Sequence, residues 1–360
     1  MYDIAVVGLG PAGAFLTKCL HPRFRVIALD KKREQGTDGG FHKPCGGLLA
    51  PDAQKALARF QMTLPKELLV SPQIFSVRTI DVKSGLIRYY QRHYINLDRH
   101  KFDQWLVGQI PAHVEVHTDA VCTNISKIPG GYSITYCAGG VTHSITARYV
   151  VGADGAHSFV RRRLFPHFSI HTYLSIQQWF LDKHETPFYS CVFDPDSTDS
   201  YAWGLTKDDY FIFGGAFPVK TGRRDFEALK GKLRQYGFRL DNPRKTEACL
   251  VLRPAGLHNY CCGGDGAFLA GEAAGFISPS SLEGISYAIE SGYLLAQCLN
   301  TATEPNKAYD KATRKIRRTL LMKNCKRPFM YHPLLRKWIM QSGLSAVDIH
   351  QPAAEKRAAE

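Results

Sequence analysis

The sequence lacks the features of several common protein classes. No run approaches the roughly 18 apolar residues of a membrane-spanning helix, and the opening stretch MYDIAVVGLG has no basic region or cleavage site of a signal peptide. These absences predict a cytoplasmic protein. The ten cysteines include no CxxC pair or Cys/His cluster at zinc spacing, and the 14 histidines form no metal-ligand motif. We therefore expect reduced, mostly buried thiols and no metal.

The composition is that of an ordinary globular protein. With 360 residues, 44% of them hydrophobic and 22% charged, the chain has room for two interleaved domains plus an appendage. No Ser/His/Asp or Cys/His set stands in a recognisable sequence context, so nothing points to a hydrolase of those types.

Positive charge is concentrated late in the chain. Residues 306–337 contain eleven Lys and Arg and one acid, and carry +10 of the formal net charge of +14. Apolar side chains recur there at three- and four-residue steps and predict an amphipathic helix that Pro328 ends. These residues are Tyr309, Ala312, Ile316 and Leu320. Either the helix contacts an anionic membrane surface, or it docks its stripe on the protein and leaves its charges in water. Nucleic acid is not an expected partner, because no stacking platform or binding motif accompanies the charge.

A dinucleotide-binding unit begins the chain. The apolar runs DIAVVG and RVIALD flank GLGPAGAFLTKCL, an order that predicts a strand, a tight turn, a helix and a parallel strand. Gly8, Gly10 and Gly13 form a GxGxxG motif in this unit. The first glycine permits the tight turn, the second lets the backbone approach a pyrophosphate, and the third lets the helix pack closely on the sheet. Asp30 ends the second strand, where a carboxylate either accepts ribose hydroxyls or merely caps the turn.

The remaining pattern alternates between two kinds of region. Strands are predicted at 114–118, 132–137 and 143–151 and on both sides of the turn at Ser84-Gly85, and helices at 97–110, 224–236 and from near Gly284. Aromatic-rich segments between 166 and 247 predict antiparallel strands. We expect an α/β fold in which a Rossmann-type nucleotide-binding domain is interleaved with an antiparallel-sheet domain. The predicted limits are 1–73, 97–165 and 248–300 for the first, 74–96 and 166–247 for the second, and 301–360 for a basic C-terminal helical region.

Five motifs together resemble one protein family. GLGPAG, KPCGG, DRHKFDQWL, GADGAHSFVRR and GEAAGFISPSSLEGI occur in the order found in the geranylgeranyl reductase family of flavoproteins, within the p-hydroxybenzoate hydroxylase-like group. The resemblance covers residues 1 to about 300 and implies a bound FAD. It carries more weight for fold and cofactor than for substrate.

The resemblance implies which residues contact FAD. They are Gly8, Gly10, Pro11, Ala12, Gly13, Asp30, Lys31, Lys43, Cys45, Gly46, Gly47, Arg99, Cys122, Asp154, Gly271, Glu272, Gly284 and Ile285. The glycine turn would hold the pyrophosphate and Asp30 the ribose, and Arg99 would reach the phosphates unless it makes an ordinary surface ion pair.

Later motifs complete the implied cofactor site. Cys122 would lie near the adenine, and Asp154 would support the turn from below. Glu272 replaces the usual Asp that bonds ribityl or ribose hydroxyls. Gly284 and Ile285 would begin a helix whose N-terminus faces the flavin pyrimidine ring, where the helix dipole stabilises negative charge.

The substrate region departs from the family pattern. The Tyr-x-Trp-x-Phe-Pro motif keeps Tyr201 and Trp203 but has Leu205 and Thr206 in place of Phe-Pro, and Leu282 stands where glycine is usual. The substrate therefore need not be a geranylgeranyl chain. Aromatic residues either line an apolar prenyl channel or form the core of their own domain. These residues are Trp179, Phe180, Trp203, Tyr210, Phe211 and Phe213.

Cys45 in KPCGG is the candidate catalytic residue. Lys43 is the only charge in this stretch, and Gly46 and Gly47 let the backbone pass close to a flat ring. The resemblance places the motif against the isoalloxazine. We favour a position beside the flavin with proton donation to the reduced double bond over a small packed residue, and rank a covalent nucleophile last.

The sequence thus predicts an FAD-dependent reductase of a prenyl lipid or similar hydrophobic substrate at the inner membrane face. NAD(P)H as a transient reductant would have to dock without its own Rossmann domain, because no second GxGxxG joins a strand to a helix. The rivals are an NAD(P)H-dependent aromatic monooxygenase of the same fold and a flavin-containing lipid-binding protein without turnover.

Overall fold

The computed structural model describes residues 1–32, 43–181 and 188–349, which form two compact units. Unit 1 comprises residues 1–69, 97–175 and 248–327, and unit 2 comprises residues 70–96, 176–247 and the chain from 328 onward. The strands are β1 (Tyr2–Val7), β2 (Val26–Leu29), β3 (Leu48–Leu49), β4 (Ile74–Asp81), β5 (Leu86–Asn96), β6 (Glu115–His117), β7 (Ala120–Ile128), β8 (Gly131–Ala138), β9 (Val141–Gly152), β10 (Thr172–Phe180), β11 (Phe188–Phe193), β12 (Ala202–Lys207), β13 (Tyr210–Pro218), β14 (Lys245–Leu252), β15 (Gly263–Gly264) and β16 (Ala267–Leu269). The α-helices are α1 (Pro11–Cys19), α2 (Pro51–Arg59), α3 (Arg99–Val107), α4 (Phe159–Leu164), α5 (Gly222–Leu233), α6 (Ile285–Thr301), α7 (Pro305–Ala312), α8 (Arg314–Asn324), α9 (Arg327–Tyr331) and α10 (Pro333–Ser342).

Unit 1 is built on a largely parallel sheet. Its strand order is β15-β16-β9-β1-β2-β6, and β7 and β8 extend β9 as an antiparallel meander. The central strands β1 and β2 are almost wholly buried, as expected for apolar runs with both faces covered. Helices α1 and α6 pack closely, since a Cβ on Gly292 would lie 2.4 Å from the Ala12 carbonyl oxygen.

The prediction missed strand β7 of unit 1. Residues 120–128 read AVCTNISKI, a mostly polar segment in which only Ala120 and Ile125 are buried, yet they form the nine-residue strand β7. Pairing with β8 stabilises this strand, so hydrophobic periodicity alone gave little signal.

Unit 2 contains a twisted sheet with the order β14-β10-β13-β12-β11-β4-β5. Neighbours β11–β12, β12–β13 and β4–β5 are antiparallel, whereas β11 pairs with β4 in parallel. The predicted turn between β4 and β5 has Gly85 at φ +71°, a conformation that glycine adopts without strain. Helix α5 buries Phe226, Leu229 and Leu233 in this unit.

The C-terminal region is not the single appendage that the sequence predicted for 301–360. Helices α7 and α8 belong to unit 1, where Tyr309, Ile316 and Leu320 are at most 2% exposed, so the docked interpretation of the apolar stripe is correct. The chain from 328 onward belongs to unit 2, because Arg336 of α10 pairs with Asp81 of β4. Residues 166–175, predicted as part of the second domain, group with unit 1.

No helix in the three described ranges is long and apolar enough to cross a membrane.

Candidate functional site

The glycine-rich turn has the geometry of a phosphate cradle. Gly8 has φ +95°, and a Cβ there would lie 2.7 Å from the Ala153 carbonyl oxygen. A Cβ on Gly13 would lie 1.9 Å from the Gly8 carbonyl oxygen, whereas one on Gly10 would meet no atom of the described residues within 4 Å. In the described structure no side chain caps the first turn of α1, which leaves the N–H groups of that turn available to a ligand. The turn therefore fits a pyrophosphate.

Asp30 holds this turn to the second strand. Its Oδ2 accepts from the Leu9 N–H at 2.6 Å and its Oδ1 from the Lys32 N–H at 2.9 Å, and the residue is only 6% exposed. Each carboxylate oxygen has a second lone pair, so the turn-capping role and the ribose contact are compatible. Lys31 beside it is exposed.

Arg99 makes an ion pair, but a buried one. Its Nε lies 2.9 Å from Asp103 Oδ1, and Lys32 Nζ lies 2.7 Å from Asp103 Oδ2, with all three side chains largely buried. Burial alone would raise the pKa of Asp103, but the two cations lower it to about 2. The sequence predicts that Arg99 contacts the FAD phosphates or, as the alternative, makes a surface ion pair, and it does not predict Asp103 or Lys32 as partners. Asp103 could have been found from the sequence, because it stands four residues after Arg99 on the same predicted helix. Lys32 could not, because only the tertiary structure brings it next to Asp103.

Arg99 also reaches Cys45. Asp103 and, to a lesser degree, Cys45 outweigh burial and raise the pKa of Arg99, so the guanidinium lies within electrostatic reach of the sulfur. Cys45 Sγ also accepts from the Gly47 N–H at 3.4 Å, and Gly47 has φ +65°. Its carbonyl oxygen accepts from the Leu97 N–H at 2.9 Å, which joins the KPCGG loop to the segment before α3. The structure therefore brings together the predicted catalytic thiol and a predicted phosphate-binding arginine.

A second thiol that the sequence reasoning did not select lies at the same loop. Cys249 of β14 has its Sγ 4.0 Å from the Pro44 carbonyl oxygen. Burial raises the pKa of Cys249 to about 11, so it is a neutral thiol at physiological pH.

Glu272 is engaged by the protein on both oxygens. Its Oε2 forms a short ion pair with Lys43, and its Oε1 accepts from the Leu252 N–H at 3.0 Å. Burial lowers the pKa of Lys43, but Glu272 opposes this and the net pKa is raised. The methylene that distinguishes Glu from the usual Asp lengthens the reach to these partners. The expected contact with cofactor hydroxyls would have to share the same oxygens.

Gly271 brings the GEAAG turn against the glycine-rich helix. It has φ +59°, and a Cβ there would lie 2.8 Å from the Ala12 Cβ. Two separated motifs of the sequence thus meet at one place in unit 1.

In the loop before α6, a leucine adopts a left-handed backbone conformation that glycine usually occupies. Leu282 has φ +54°, which costs a non-glycine residue roughly 1 kcal/mol. Its N–H donates to the Ser278 carbonyl oxygen at 3.0 Å, and the Ser278 N–H donates to the Glu283 carbonyl oxygen at 2.9 Å. Gly284 and Ile285 then begin α6, whose N-terminus has no side-chain cap in the described structure.

Asp154 has one oxygen available. Its Oδ2 accepts from the Phe159 and Val160 N–H groups at 2.6 and 3.2 Å, while its Oδ1 is buried without a hydrogen-bond partner in the part of the chain described. An unpaired buried carboxylate oxygen suits a donor on a ligand. Cys122 lies nearby, and burial with the Asp154 charge raises the pKa of its thiol to about 12.

The predicted substrate residues in unit 2 fall into two groups. Phe180, Phe211 and Phe213 are at most 1% exposed, which favours the core interpretation for these three. Tyr201 and Trp203 lie against each other with ring centroids 5.7 Å apart, and the Trp203 Nε1 is buried with no partner among the described residues.

The two remaining aromatics of that set lie at one place in unit 2. Trp179 is half-buried and its Nε1 donates to Glu247 Oε2 at 2.8 Å. Tyr210 packs edge-on against it, with ring centroids 5.9 Å apart.

Comparison with known proteins identifies the family. Residues 117–218 match the FAD binding domain family. Protein CbrA of Escherichia coli O157:H7 and that of Shigella sonnei (strain Ss046) are each 51% identical over 96% of this chain and 98% of their own length. The chain belongs to the CbrA family. The match at 117–218 links this chain to an FAD-binding domain, and FAD is the cofactor that the glycine turn and Asp154 fit.

Solved structures place the CbrA family in a known fold. A geranylgeranyl bacteriochlorophyll reductase-like protein from Thermoplasma acidophilum has a TM-score of 0.70 at 18% identity, covering 96% of this chain and 88% of its own. PqsL of Pseudomonas aeruginosa, a probable FAD-dependent monooxygenase, has a TM-score of 0.69 at 16% identity, covering 95% and 99%. The predicted α/β flavoprotein fold is confirmed, and the CbrA family shares it with FAD-dependent oxidoreductases.

Proposed function

We propose that this CbrA-family protein is an FAD-dependent oxidoreductase that reduces double bonds of a prenyl lipid or similar hydrophobic substrate at the membrane face. The observation that carries the proposal is the electrostatic interaction of the Cys45 thiol with the buried Arg99 within the unit that holds the glycine-rich turn. Asp103 and Lys32 fix Arg99 in turn, so the thiol has a defined cationic neighbour.

The proposed reaction divides between cofactor and protein. Bound FAD supplies the two-electron redox chemistry. Reducing an alkene adds a hydride to one carbon and a proton to the other, and the protein supplies the proton from Cys45 Sγ. Arg99 is the cation beside this sulfur in unit 1.

A hydrophobic substrate is supported by unit 2. Tyr201 and Trp203 keep two of the family's cavity residues, and the buried Trp203 Nε1 lacks a partner in the described residues. Leu205, fully buried, and Thr206 replace the usual Phe-Pro, which argues for a substrate shaped differently from geranylgeranyl chains.

The test is anaerobic. Purified holoprotein is photoreduced, polyprenyl lipid extract is added, and flavin reoxidation is followed together with a mass gain of two hydrogens in the lipid. We expect both signals in the wild type and their loss in Cys45→Ala with FAD retained. Cys325→Ala, at an exposed cysteine, is the matched control and should behave as wild type. Unchanged turnover in Cys45→Ala would reduce Cys45 to a packing role.

The rival functions give different results when the assay is repeated in the presence of oxygen. Oxygen consumption coupled to a hydroxylated product indicates a monooxygenase, a reaction that the fold of PqsL keeps open as the second candidate. NADH and NADPH are tested in turn as the transient reductant. The whole chain resembles the enterobacterial colicin M resistance protein, so resistance is the cellular readout. Resistance that persists in a variant unable to reduce its flavin would favour a lipid-binding protein without turnover.

A further inference from the structure

Two neighbouring glutamines of β10 differ in how their side-chain amides are satisfied. The Gln178 Nε2 donates to Glu227 Oε1 at 3.2 Å, and its Oε1 accepts from Lys230 Nζ at 2.9 Å. Gln177 is only 1% exposed, yet neither its Nε2 nor its Oε1 has a hydrogen-bond partner among the described residues. Burying an amide without partners lowers stability, so a native protein keeps such a group for a reason other than folding.

The two glutamines lie on opposite faces of the unit 2 sheet, because side chains alternate along a strand. Glu227 and Lys230 belong to α5, so Gln178 lies on the face that α5 covers. Gln177 therefore lies on the face turned away from α5.

Trp203 of β12 lies on the same face as Gln177. Phe213 of β13 stacks on a phenylalanine of α5 with ring centroids 5.5 Å apart, so the next residue, Gly214, belongs to the face away from α5. Trp203 pairs with Gly214 across the two strands. A Cβ on Gly214 would lie 2.8 Å from the Trp203 Nε1 and 2.9 Å from the Ile176 carbonyl oxygen. The peptide group that precedes Gln177 thus lies beside the indole.

This face of unit 2 therefore offers three buried atoms to a ligand. The Gln177 Nε2 and the Trp203 Nε1 can donate hydrogen bonds, and the Gln177 Oε1 can accept one. The Trp203 Nε1, like the Gln177 amide, has no partner in the part of the chain that the structure describes. Both side chains are neutral, so a charged group buried against them would lack a counterion. A hydroxyl group is the complement, because it is neutral and its one oxygen both accepts and donates.

We infer that this face of unit 2 binds a hydrophobic substrate through a hydroxyl group. The hydroxyl accepts from the Trp203 Nε1 or the Gln177 Nε2 and donates to the Gln177 Oε1, so Gln177 determines which substrates bind. The stability lost to the unpaired amide of the free protein is the cost of this recognition. The inference rests on the proposed function for the hydrophobic chain of the substrate, and adds the group that orients it.

The test measures binding to the oxidised full-length holoprotein by fluorescence titration with farnesol and with farnesyl methyl ether. We expect farnesol to bind the wild type at least about tenfold more tightly, because the ether cannot donate to the Gln177 Oε1. Gln177→Met keeps the length of the side chain and removes both polar atoms. This variant should bind farnesol about tenfold more weakly than wild type and should no longer distinguish it from the ether.

The neighbouring glutamine supplies the matched control. Gln178→Met should keep the preference for farnesol but lower the thermal midpoint, because Glu227 and Lys230 lose their partner. Gln177→Met should leave the midpoint unchanged or raise it, because it removes two unsatisfied buried atoms. Stability and binding therefore change in different directions in the two variants.

Three results overturn the inference: a wild type that does not bind farnesol or does not prefer it to the ether, a preference that survives in Gln177→Met, and a lower thermal midpoint for Gln177→Met. The last result would show that the amide is satisfied inside the protein. Binding requires no electron transfer, so a wild type that prefers farnesol but reduces no lipid contradicts the proposed reaction and supports the inference. Lipid reduction with the same KM in wild type and Gln177→Met overturns the inference and leaves the proposed reaction standing.

Discussion

Neutralising Asp103 tests the ion-pair network that positions Arg99. Asp103 is 5% exposed and holds Arg99 Nε at 2.9 Å and Lys32 Nζ at 2.7 Å. Asp103→Asn keeps the shape and removes the charge, which leaves two buried cations without their counterion. Breaking a buried pair in this way costs about 3–5 kcal/mol. That loss is a large fraction of the roughly 5–15 kcal/mol by which a folded protein is stable.

The pH dependence of stability gives a second estimate of how much the charge of Asp103 stabilises the protein. The pKa of Asp103 is lowered from 3.8 to about 2, so its charged form contributes roughly 2 kcal/mol to the free energy of unfolding. A lowered pKa means that this contribution is complete above pH 4 and disappears as the pH falls through about 2. The difference between wild type and Asp103→Asn should therefore be constant from pH 5 to neutrality and shrink below pH 4.

The assay is urea unfolding followed by circular dichroism, with hydrogen exchange of α3 to assign the loss to unit 1. Asp98→Asn on the same helix is the control. Asp98 caps α3 by accepting from the His100 and Lys101 N–H groups, and Asn caps equally well, so little change is expected. FAD affinity should fall in Asp103→Asn and not in Asp98→Asn. A loss of less than about 1 kcal/mol in Asp103→Asn would refute the assignment of a strong buried pair.

Three further predictions follow from local geometry. Gly13→Ala should lower the thermal midpoint and abolish FAD retention, because the added Cβ collides with the Gly8 carbonyl oxygen. Gly10→Ala should fold normally and weaken only FAD binding, because its Cβ enters the space of the pyrophosphate. Equal thermal midpoints for the two variants would contradict this prediction. Leu282→Gly should leave stability unchanged or raise it by up to about 1 kcal/mol, because relief of the positive φ offsets the greater entropy of glycine in the unfolded chain. A clear fall in the thermal midpoint would show that contacts of the leucine side chain outweigh the strain in its backbone. Phe213→Ala should cost about 3–5 kcal/mol in urea unfolding as a fully buried core residue, while a stable variant with altered substrate use would restore the channel interpretation.

Local sequence was sufficient where one segment carries the whole motif. The strand, turn, helix and strand from Tyr2 to Leu29 were predicted because the apolar runs are continuous and each glycine has a separate steric reason. Strand β7 was missed because its stability comes from pairing with β8 and not from burial of its own side chains. The C-terminal stripe was recognised as amphipathic, but the pattern did not show whether protein or membrane covers it.

The sequence by itself determined the α/β fold and the glycine-rich turn, because these depend on short spacings and on residue types with few alternatives. The resemblance to a flavoprotein family predicted the motifs of the cofactor site. Only the tertiary structure decided which charges meet. Lys32 joins Arg99 through Asp103, Glu272 turns to Lys43 and Leu252, and Arg336 reaches Asp81 across 255 positions of the sequence. Such pairings follow from where the strands place distant backbone segments. The chemical environment of Cys45 therefore depends on the fold and not on the KPCGG motif alone.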